Sequence, residues 1–377
     1  MKIEFQKIVG QERQDVFGYA VALGDINGDG YKEVIVASIS KNKGGVIFIF
    51  SSQSFKILKK IDINKKKINT IRLICKDIND DHVDELIIAV TYQDLSGEVK
   101  IISLKSSKTL YHWKSLAPYD AFGFAIASGD VDGDGIADMV ISAPHPVKNG
   151  KGKVYVYSGK DGSLLKEFSS IIPRGSSDFG TSVATGDIDG DGLEEVIIGA
   201  PGLPKGEVFV YSGKFGWLLH KLTGEPGFGF TVHTDDINGD HFNELIVTTK
   251  NLEGNKVSVF QNFYHLYDIE NDEVDIGFGE TIATGDINGD GKKELILGAF
   301  DARHLRKRFT GQVNVYDGEN GKLLNRWFGK EEKSQFGFSL SSASLDHKGH
   351  DVLLIGTPRE MQQKKGIVYL VSMKPEG

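Results

Sequence analysis

Short apolar runs rich in Val, Ile, Tyr and Phe recur along the whole chain, and glycine-containing turns separate them. Three of these runs read GKVYVYSG (Gly152–Gly159), GEVFVYSG (Gly206–Gly213) and GQVNVYDG (Gly311–Gly318). Such runs are typical of β-strands, because β-branched and aromatic side chains pack well on a pleated surface. No stretch keeps a helical periodicity over a useful length. The pattern therefore predicts an all-β protein.

The strand patterns come in groups of four. In one group the pair Phe179-Gly180 opens a first strand that leads into an acidic segment, and three further strand patterns follow: EVIIGAP (Glu195–Pro201), GEVFVYSG (Gly206–Gly213) and WLLHKL (Trp217–Leu222). A four-stranded unit cannot bury its apolar face alone, so neighbouring units have to stack on each other.

The groups repeat at a regular interval, which the acidic segment marks. The first Asp residues of six groups are separated by 52, 53, 57, 49 and 50 residues, and they are Asp25, Asp77, Asp130, Asp187, Asp236 and Asp286. A seventh copy at Phe336–Pro358 has Ser344 in place of the first Asp. Four antiparallel strands, repeated seven times at roughly 50 residues, are typical of a β-propeller.

The last group ends early, after GIVYLVS (Gly366–Ser372), and the N-terminal stretch KIEFQKI (Lys2–Ile8) has the pattern of the missing fourth strand. Pairing the two stretches would remove an open sheet edge. We therefore predict one domain over residues 1–377. Its fold class is an all-β, seven-bladed β-propeller of four-stranded antiparallel blades, with the ring closed by the N-terminal strand joining the last blade.

Composition excludes several classes of protein. The chain has 377 residues, a formal net charge of -8, 40% hydrophobic residues and 25% charged residues, which suits a folded globular protein. Its one cysteine, Cys75, cannot form an internal disulfide. No window approaches about 18 consecutive apolar residues, so no transmembrane segment is expected. The first ten residues, MKIEFQKIVG, alternate polar and apolar and do not resemble a signal peptide.

The acidic segments, loops 1 to 7 in chain order, offer oxygen ligands at alternate positions counted from the first Asp. Side-chain oxygens stand at positions one, three, five and nine, and a backbone carbonyl is available at position seven. Several charged oxygens without Cys or His favour calcium over zinc, and glycine at position six permits a sharp turn around the ion. The predicted Ca²⁺ ligands are Asp25, Asn27, Asp29, Tyr31 and Glu33 in loop 1; Asp77, Asn79, Asp81, Val83 and Glu85 in loop 2; Asp130, Asp132, Asp134, Ile136 and Asp138 in loop 3; Asp187, Asp189, Asp191, Leu193 and Glu195 in loop 4; Asp236, Asn238, Asp240, Phe242 and Glu244 in loop 5; and Asp286, Asn288, Asp290, Lys292 and Glu294 in loop 6.

The loops are not equivalent. Loops 1, 3, 4 and 6 keep the full pattern, whereas loop 2 has Asp80 and His82 at the glycine positions and loop 5 has His241. We expect these two sites to be weaker or empty. In loop 7, Ser344 and Lys348 replace ligands, and lysine would repel a cation, so that site is expected to be lost.

Two alternatives to a calcium loop remain. An EF-hand needs a carboxylate at position twelve and helical flanks, but position twelve of loop 1 is Val36 and both flanks have strand patterns. The second alternative is a set of acidic turns that bind no metal. It accounts less well for four intact copies than for a single one.

The repeats resemble the FG-GAP repeat family, which is best known from the seven-bladed propeller of integrin α subunits. Phe179-Gly180 with Gly199-Ala200-Pro201 gives the full pattern, and Phe122-Gly123 with Ser142-Ala143-Pro144 is close to it. The resemblance implies calcium in the loops between the first and second strands of each blade. It also implies a non-catalytic module for recognition or adhesion, with a protein or glycoprotein partner and an extracellular or cell-surface location.

Antiparallel connectivity puts the loops between second and third strands on the face opposite the acidic loops, where we expect the partner. These opposite loops are basic, and the longest, Phe300–Gly311, holds Arg303, His304, Arg306, Lys307 and Arg308. Such charge suits an acidic partner, although solvated surface lysines and arginines are an equal alternative. No nucleic acid is expected, because aromatic residues do not interleave with this charge.

A carbohydrate-binding lectin and a polysaccharide lyase are the alternative functions. The three tryptophans Trp113, Trp217 and Trp327 occupy fourth strands, where blade packing explains them better than sugar binding does. No G-x-S-x-G nucleophile motif is present. A lyase could combine Tyr92, Tyr119, His145 and Arg303, but nothing in the sequence selects this set.

Overall fold

A computed structural model of the protein describes residues 2–11, 15–40, 44–64, 66–115, 117–144, 151–170, 178–202, 204–251, 254–271, 277–302, 309–346, 350–359 and 365–374. Within these residues the regular elements are strands, β1 to β28 in chain order. Among the same residues there is no helix that could span a bilayer.

The chain divides into two compact units. The first comprises Met1–Ile68, Ile237–Gly239 and Asn271–Gly377, and the second comprises Asn69–Asp236 and Asp240–Glu270.

Three of the seven sheets belong to the first unit. We number the sheets as blades by the order of their acidic loops. Blade 1 contains β2 (Val16–Gly24), β3 (Glu33–Ser40), β4 (Gly44–Phe50) and β5 (Ile57–Asp62). Blade 6 contains β22 (Phe278–Gly285), β23 (Glu294–Ala299), β24 (Gln312–Asp317) and β25 (Leu323–Phe328). Blade 7 contains β26 (Ser339–Ala343), β27 (Val352–Thr357), β28 (Ile367–Lys374) and β1 (Lys2–Val9).

The other four sheets belong to the second unit. Blade 2 contains β6 (Ile68–Lys76), β7 (Glu85–Tyr92), β8 (Gly97–Ser103) and β9 (Lys108–Lys114). Blade 3 contains β10 (Ile126–Gly129), β11 (Asp138–Ala143), β12 (Lys153–Tyr157) and β13 (Leu164–Ser169). Blade 4 contains β14 (Ser182–Gly186), β15 (Glu195–Ala200), β16 (Glu207–Tyr211) and β17 (Leu218–Thr223). Blade 5 contains β18 (Phe228–Asp235), β19 (Glu244–Thr249), β20 (Lys256–Gln261) and β21 (Tyr264–Glu270).

The N-terminal strand completes the last blade. β1 pairs antiparallel with β28, from Lys2 opposite Lys374 to Val9 opposite Ile367. The strand is thus one residue longer than the predicted stretch 2–8. The predicted fold class, a seven-bladed β-propeller with four antiparallel strands in each blade, is confirmed. The extent of a single domain over residues 1–377 stays a prediction.

Apolar packing joins successive blades within each unit. In the second unit, one buried cluster brings Ile87 and Val99 of blade 2 together with Phe122 and Met139 of blade 3. The phenylalanine of each Phe-Gly pair is buried, and these residues are Phe17, Phe122, Phe179, Phe228, Phe278 and Phe336. Burying such rings between blades supplies the apolar area that one blade cannot bury alone.

The glycine of a Phe-Gly pair lies close to a glycine near the end of the second strand of the preceding blade. A Cβ added to Gly199 of blade 4 would lie 2.1 Å from the carbonyl oxygen of Gly229 in blade 5. Gly229 has a φ of 87°, in the left-handed region that favours glycine. In the first unit, a Cβ added to Gly298 of blade 6 would lie 2.4 Å from the carbonyl oxygen of Gly337, at the entrance to blade 7. The absence of a side chain at both positions therefore allows the backbones of two neighbouring blades to approach closely.

Candidate metal centre

Each acidic loop joins the first and second strands of its blade. Loop 4, for example, connects Gly186 at the end of β14 to Glu195 at the start of β15. Since strands flank the loop on both sides, the EF-hand alternative is excluded here. The two strands hold the ends of the loop at a fixed separation, because Gly186 and Glu195 are partners in the β14–β15 ladder.

The first Asp organises the loop through its carboxylate. In loop 3, Oδ1 of Asp130 accepts hydrogen bonds from the N–H groups of Gly133 and Asp134 at 2.8 and 3.1 Å, and Oδ2 accepts one from Gly135 at 2.9 Å. In loop 1, Asp25 accepts bonds from the same three positions. By accepting three backbone N–H groups, the carboxylate holds the loop in a tight turn. A short polar side chain is needed at position one for these bonds to form.

Positions three and five continue this pattern. In loop 4, Oδ1 of Asp189 accepts the N–H of Asp191 at 3.2 Å, and Oδ1 of Asp191 accepts the N–H of Leu193 at 2.9 Å. Each is an Asx turn, in which a side-chain oxygen binds the backbone two residues later. Consecutive turns of this kind aim alternate side chains at one centre.

Position nine provides a buried carboxylate. The six residues here are almost fully buried, and they are Glu33, Glu85, Asp138, Glu195, Glu244 and Glu294. In loop 4, Oε2 of Glu195 accepts the N–H of Ile188 at 3.0 Å, so the strand end and the loop entrance are tied together.

Burial raises the pKa of five of these carboxyl groups, and the neighbouring carboxylates of the loop raise it further. The pKa rises to about 7 in Glu33, Glu85 and Glu294, to about 6 in Asp138 and to about 8 in Glu195. The ionised form is costly because it is desolvated and surrounded by like charge. A cation at the centre of the loop would offset both effects.

In two intact loops the carboxylate oxygens converge. One oxygen from each of Asp130, Asp132 and Asp138 in loop 3 lies within 4.8 Å of the others. The same holds for Asp187, Asp189 and Glu195 in loop 4. The structure therefore brings together positions one, three and nine of these two loops, whereas position five, Asp134 or Asp191, belongs to neither group. The complete ligand sets stay a prediction.

Loops with Asn at position three are arranged differently. In loop 1, Nδ2 of Asn27 donates to Oε1 of Glu33 at 2.7 Å and to Oδ2 of Asp29 at 3.2 Å. In loop 6, Asn288 makes the corresponding bonds to Asp290 and Glu294. The amide group thus lies between two carboxylates. Metal binding there requires the amide to present its oxygen instead.

The degenerate loops keep the left-handed backbone where another residue replaces glycine. Asp80, His82 and His241 have φ values of 59°, 61° and 73°, so non-glycine residues adopt the left-handed region. In loop 2 the group that converges is Asp77, Asp80 and His82, which differs from the predicted ligand set. In loop 7, Lys348 lies outside the described residues.

Sequence reasoning missed two sets of contributors. The aliphatic residues at position two are buried beneath the loops, and they are Ile26, Ile78, Val131, Ile188, Ile237 and Ile287. Their regular occurrence after the first Asp was a usable signal. The turns between third and fourth strands also reach position five. Lys105 Nζ lies 3.2 Å from Oδ2 of Asp81, and Lys160 Nζ lies 3.5 Å from Oδ2 of Asp134.

The described residues do not include the basic segment 303–308 of the predicted partner face, nor His145. Of the other lyase candidates, Tyr92 is buried and donates its hydroxyl to Glu98. Glu98 also lies 2.6 Å from Nε2 of His112. The hydroxyl of Tyr92 is thus engaged inside blade 2.

The tryptophans fall into two classes. Trp113 stacks on Tyr157 of the next blade with ring centroids 4.8 Å apart, and Trp327 packs edge-on against Phe5 at 5.8 Å. Both fit the predicted packing role. Trp217 does not, because 57% of its surface is exposed and it stacks on Phe215, of which 59% is exposed. The packing interpretation is therefore wrong for Trp217.

Comparison with known proteins agrees with the repeat pattern. A family described as the FG-GAP-like repeat matches residues 130–198, and one described as the FG-GAP repeat matches residues 17–50 and 278–316.

Integrin α subunits are among the relatives of the chain. "Integrin alpha pat-2" of Caenorhabditis briggsae is 29% identical over 219 residues, which cover 49% of this chain and 18% of that protein. "Integrin alpha-5" of Xenopus laevis is 28% identical over 155 residues, which cover 37% of this chain and 15% of that protein.

A further relative carries an enzyme's name. "Phosphatidylinositol-glycan-specific phospholipase D" of Bos taurus is 32% identical over 147 residues, which cover 32% of this chain and 18% of that protein. The chain thus spans less than a fifth of the length of each of these three relatives. The strand order is that of a seven-bladed β-propeller, three segments of the chain match models of the FG-GAP repeat, and integrin α subunits are among its relatives.

Proposed function

We propose that the protein is a calcium-binding propeller that serves as a non-catalytic module for recognition or adhesion. The observation that carries the calcium part is the convergence of three carboxylates in loop 3 and again in loop 4. Like charges held this close destabilise the loop unless a cation lies between them. Hard oxygen donors in a flexible set of this kind suit Ca²⁺ better than softer metals.

Six loops supply candidate ligands, and the four intact ones should bind first. The carboxylates and amides at positions one, three, five and nine, with the carbonyl at position seven, offer enough oxygens for the six to eight ligands that calcium takes. Loops 2 and 5 are weaker candidates, since Asp80 and His82 in loop 2 and His241 in loop 5 replace glycines of the intact pattern.

Calorimetry on chelator-treated protein tests the calcium proposal. Titration with CaCl₂ should show uptake of about four ions per chain, and Asp134→Ala with Asp191→Ala should remove two of them. Asp161→Asn, on an exposed turn of blade 3, is the matched control and should bind like the wild type. No heat of binding, together with a thermal transition that calcium leaves unchanged, would refute the proposal.

The recognition part rests on the relatives and on charge. Two of the relatives described above are named integrin α subunits, which supports an extracellular or cell-surface location and a protein or glycoprotein partner. We propose that this partner binds the face opposite the acidic loops, to which the sequence assigns the basic segment with Arg306 and Lys307. Charge reversal at both positions should weaken capture of an acidic partner while the melting temperature stays the same. Unchanged capture would refute this surface.

Carbohydrate binding is the second candidate, and one observation favours it. The exposed, stacked pair Phe215 and Trp217 offers an aromatic face of the kind that packs against sugar rings. A glycan array with the wild type and Trp217→Ala separates the two functions. Binding lost in the variant supports the lectin, and an unsaturated product from a uronic-acid polymer would instead indicate a lyase.

A further inference from the structure

Loop 4 is held by the following blade as well as by its own. The N–H of Asp187, its first residue, donates to Oδ1 of Asn243 at 3.1 Å. In return, the N–H of Asn243 donates to the carbonyl oxygen of Asp187 at 3.2 Å. Asn243 is position eight of loop 5, so it is outside the predicted ligand set of either loop.

The same two-way contact recurs in the first unit. The N–H of Asp286, which opens loop 6, donates to Oδ2 of Asp351 at 3.1 Å. The N–H of Asp351 donates to the carbonyl oxygen of Asp286 at 2.9 Å. Asp351 is position eight of loop 7. At two separate blade junctions, the residue at position eight thus makes two hydrogen bonds with the first ligand residue of the preceding loop.

A second contact lies beside each of these pairs. A Cβ added to Gly190, position four of loop 4, would lie 2.4 Å from the ring of Phe242. A Cβ added to Gly289 of loop 6 would lie 2.1 Å from the ring of His350. The position-seven side chain of the following loop therefore covers position four of the preceding one, where φ values of 78° and 81° also favour glycine.

Both loops that make these contacts depart from the ligand pattern. Loop 5 has His241 at position six, and loop 7 has Ser344 at position one, yet each keeps a polar side chain at position eight. We propose that Asn243 and Asp351 are positioning residues for the calcium sites of loops 4 and 6, so that degenerate loops serve the sites of their neighbours. This inference rests on the proposed calcium function.

The contact acts through the first carboxylate. Oδ1 of Asp187 accepts the N–H of Gly190 at 2.7 Å, and Oδ2 accepts the N–H of Gly192 at 3.0 Å. The direction of this carboxylate depends on the backbone of Asp187, which Asn243 fixes on both its donor and its acceptor side. Removing the Asn243 oxygen leaves the N–H of Asp187 without its acceptor and loosens the first ligand before the ion arrives.

The test reads each loop separately. In ¹⁵N-labelled, chelator-treated protein, the amide signals of Gly135 and Gly192 report on loops 3 and 4 during titration with CaCl₂. Asn243→Ala should raise the calcium concentration at the Gly192 midpoint about fivefold, the expected effect of one lost hydrogen bond. The Gly135 midpoint should not move. Asn243→Asp, which keeps the acceptor oxygen, should restore the Gly192 midpoint to within about twofold.

Loop 6 provides an independent pair of variants in the other unit. Asp351→Ala should raise the midpoint of the Gly291 signal by a similar factor, and Asp351→Asn should restore it. An unchanged Gly192 midpoint in Asn243→Ala, with calcium still bound, overturns the inference alone. An equal shift of Gly135 and Gly192 indicates general destabilisation and also overturns it. A wild type without any calcium-dependent shift refutes the proposed function, and the inference falls with it.

Discussion

Glu195→Gln should have opposite effects on the stability of the protein with and without calcium. In the metal-free protein the buried Glu195 has a pKa raised from 4.5 to about 8, chiefly by burial and further by Asp189, Asp191 and Asp187. A folded-state pKa above the unfolded value means that folding favours the protonated form. The stability of the metal-free protein therefore falls as pH rises from about 4.5 to about 8.

The size of this stability change follows from the rise in the pKa of Glu195. At about 1.4 kcal/mol per pKa unit, ionised Glu195 costs on the order of 5 kcal/mol in the metal-free protein above pH 8. Glutamine keeps an oxygen that can accept the N–H of Ile188 but carries no charge. In chelator at pH 8.5 the variant should thus be more stable than the wild type by up to this amount, and at pH 4.5 the difference should vanish. With saturating calcium at pH 8.5 the order should reverse, because loop 4 loses a charged ligand.

Urea unfolding, followed by fluorescence at pH 4.5 and pH 8.5 in chelator and in calcium, measures all four cases. The exposed Glu225 provides the matched control Glu225→Gln, which should change stability little at either pH. If Glu195→Gln lowered stability in chelator at pH 8.5, Glu195 would not be the desolvated carboxylate described here. If calcium did not reverse the order, Glu195 would not be a ligand.

Three further results are expected. Asp191→Ala should lower the melting temperature in calcium more than Asp81→Ala by differential scanning fluorimetry, because the carboxylate of Asp81 is already paired with a lysine; equal losses would contradict the ranking of the loops. Asp132→Asn should weaken calcium binding in loop 3, since affinity follows the number of charged ligands, and calorimetry showing unchanged affinity would argue against that loop. Gly199→Ala should lower the free energy of unfolding in urea by several kcal/mol, because its Cβ would meet a backbone carbonyl. Gly192→Ala should lower it by about 1 kcal/mol, because that position has open space but a φ of 86°. The reverse order would refute this packing.

Much of the fold could be predicted because the same strand pattern occurs in several copies along the chain. The recurring strand patterns fixed four strands per blade, and the short last repeat indicated the role of residues 2–8. The Asx turns at positions three and five of loop 4 follow from the alternation of short polar side chains. These are local features, and the sequence around each residue contains the information that decides them.

The contacts between blades could not be predicted in the same way. Asn243 and Asp351 act on residues 56 and 65 positions earlier in the chain, and no local pattern marks them. The exposure of Trp217 has a different cause. Trp217 stands one residue before β17, whereas Trp113 and Trp327 lie within their strands opposite Val99 and Val313. A packing role that holds for those two positions therefore does not extend to Trp217.

The meeting of Gly199 with Gly229 has a consequence for how such chains evolve. A side chain at either position would push two blades apart at once. The two glycines are therefore expected to be retained together, while the residues between them diverge.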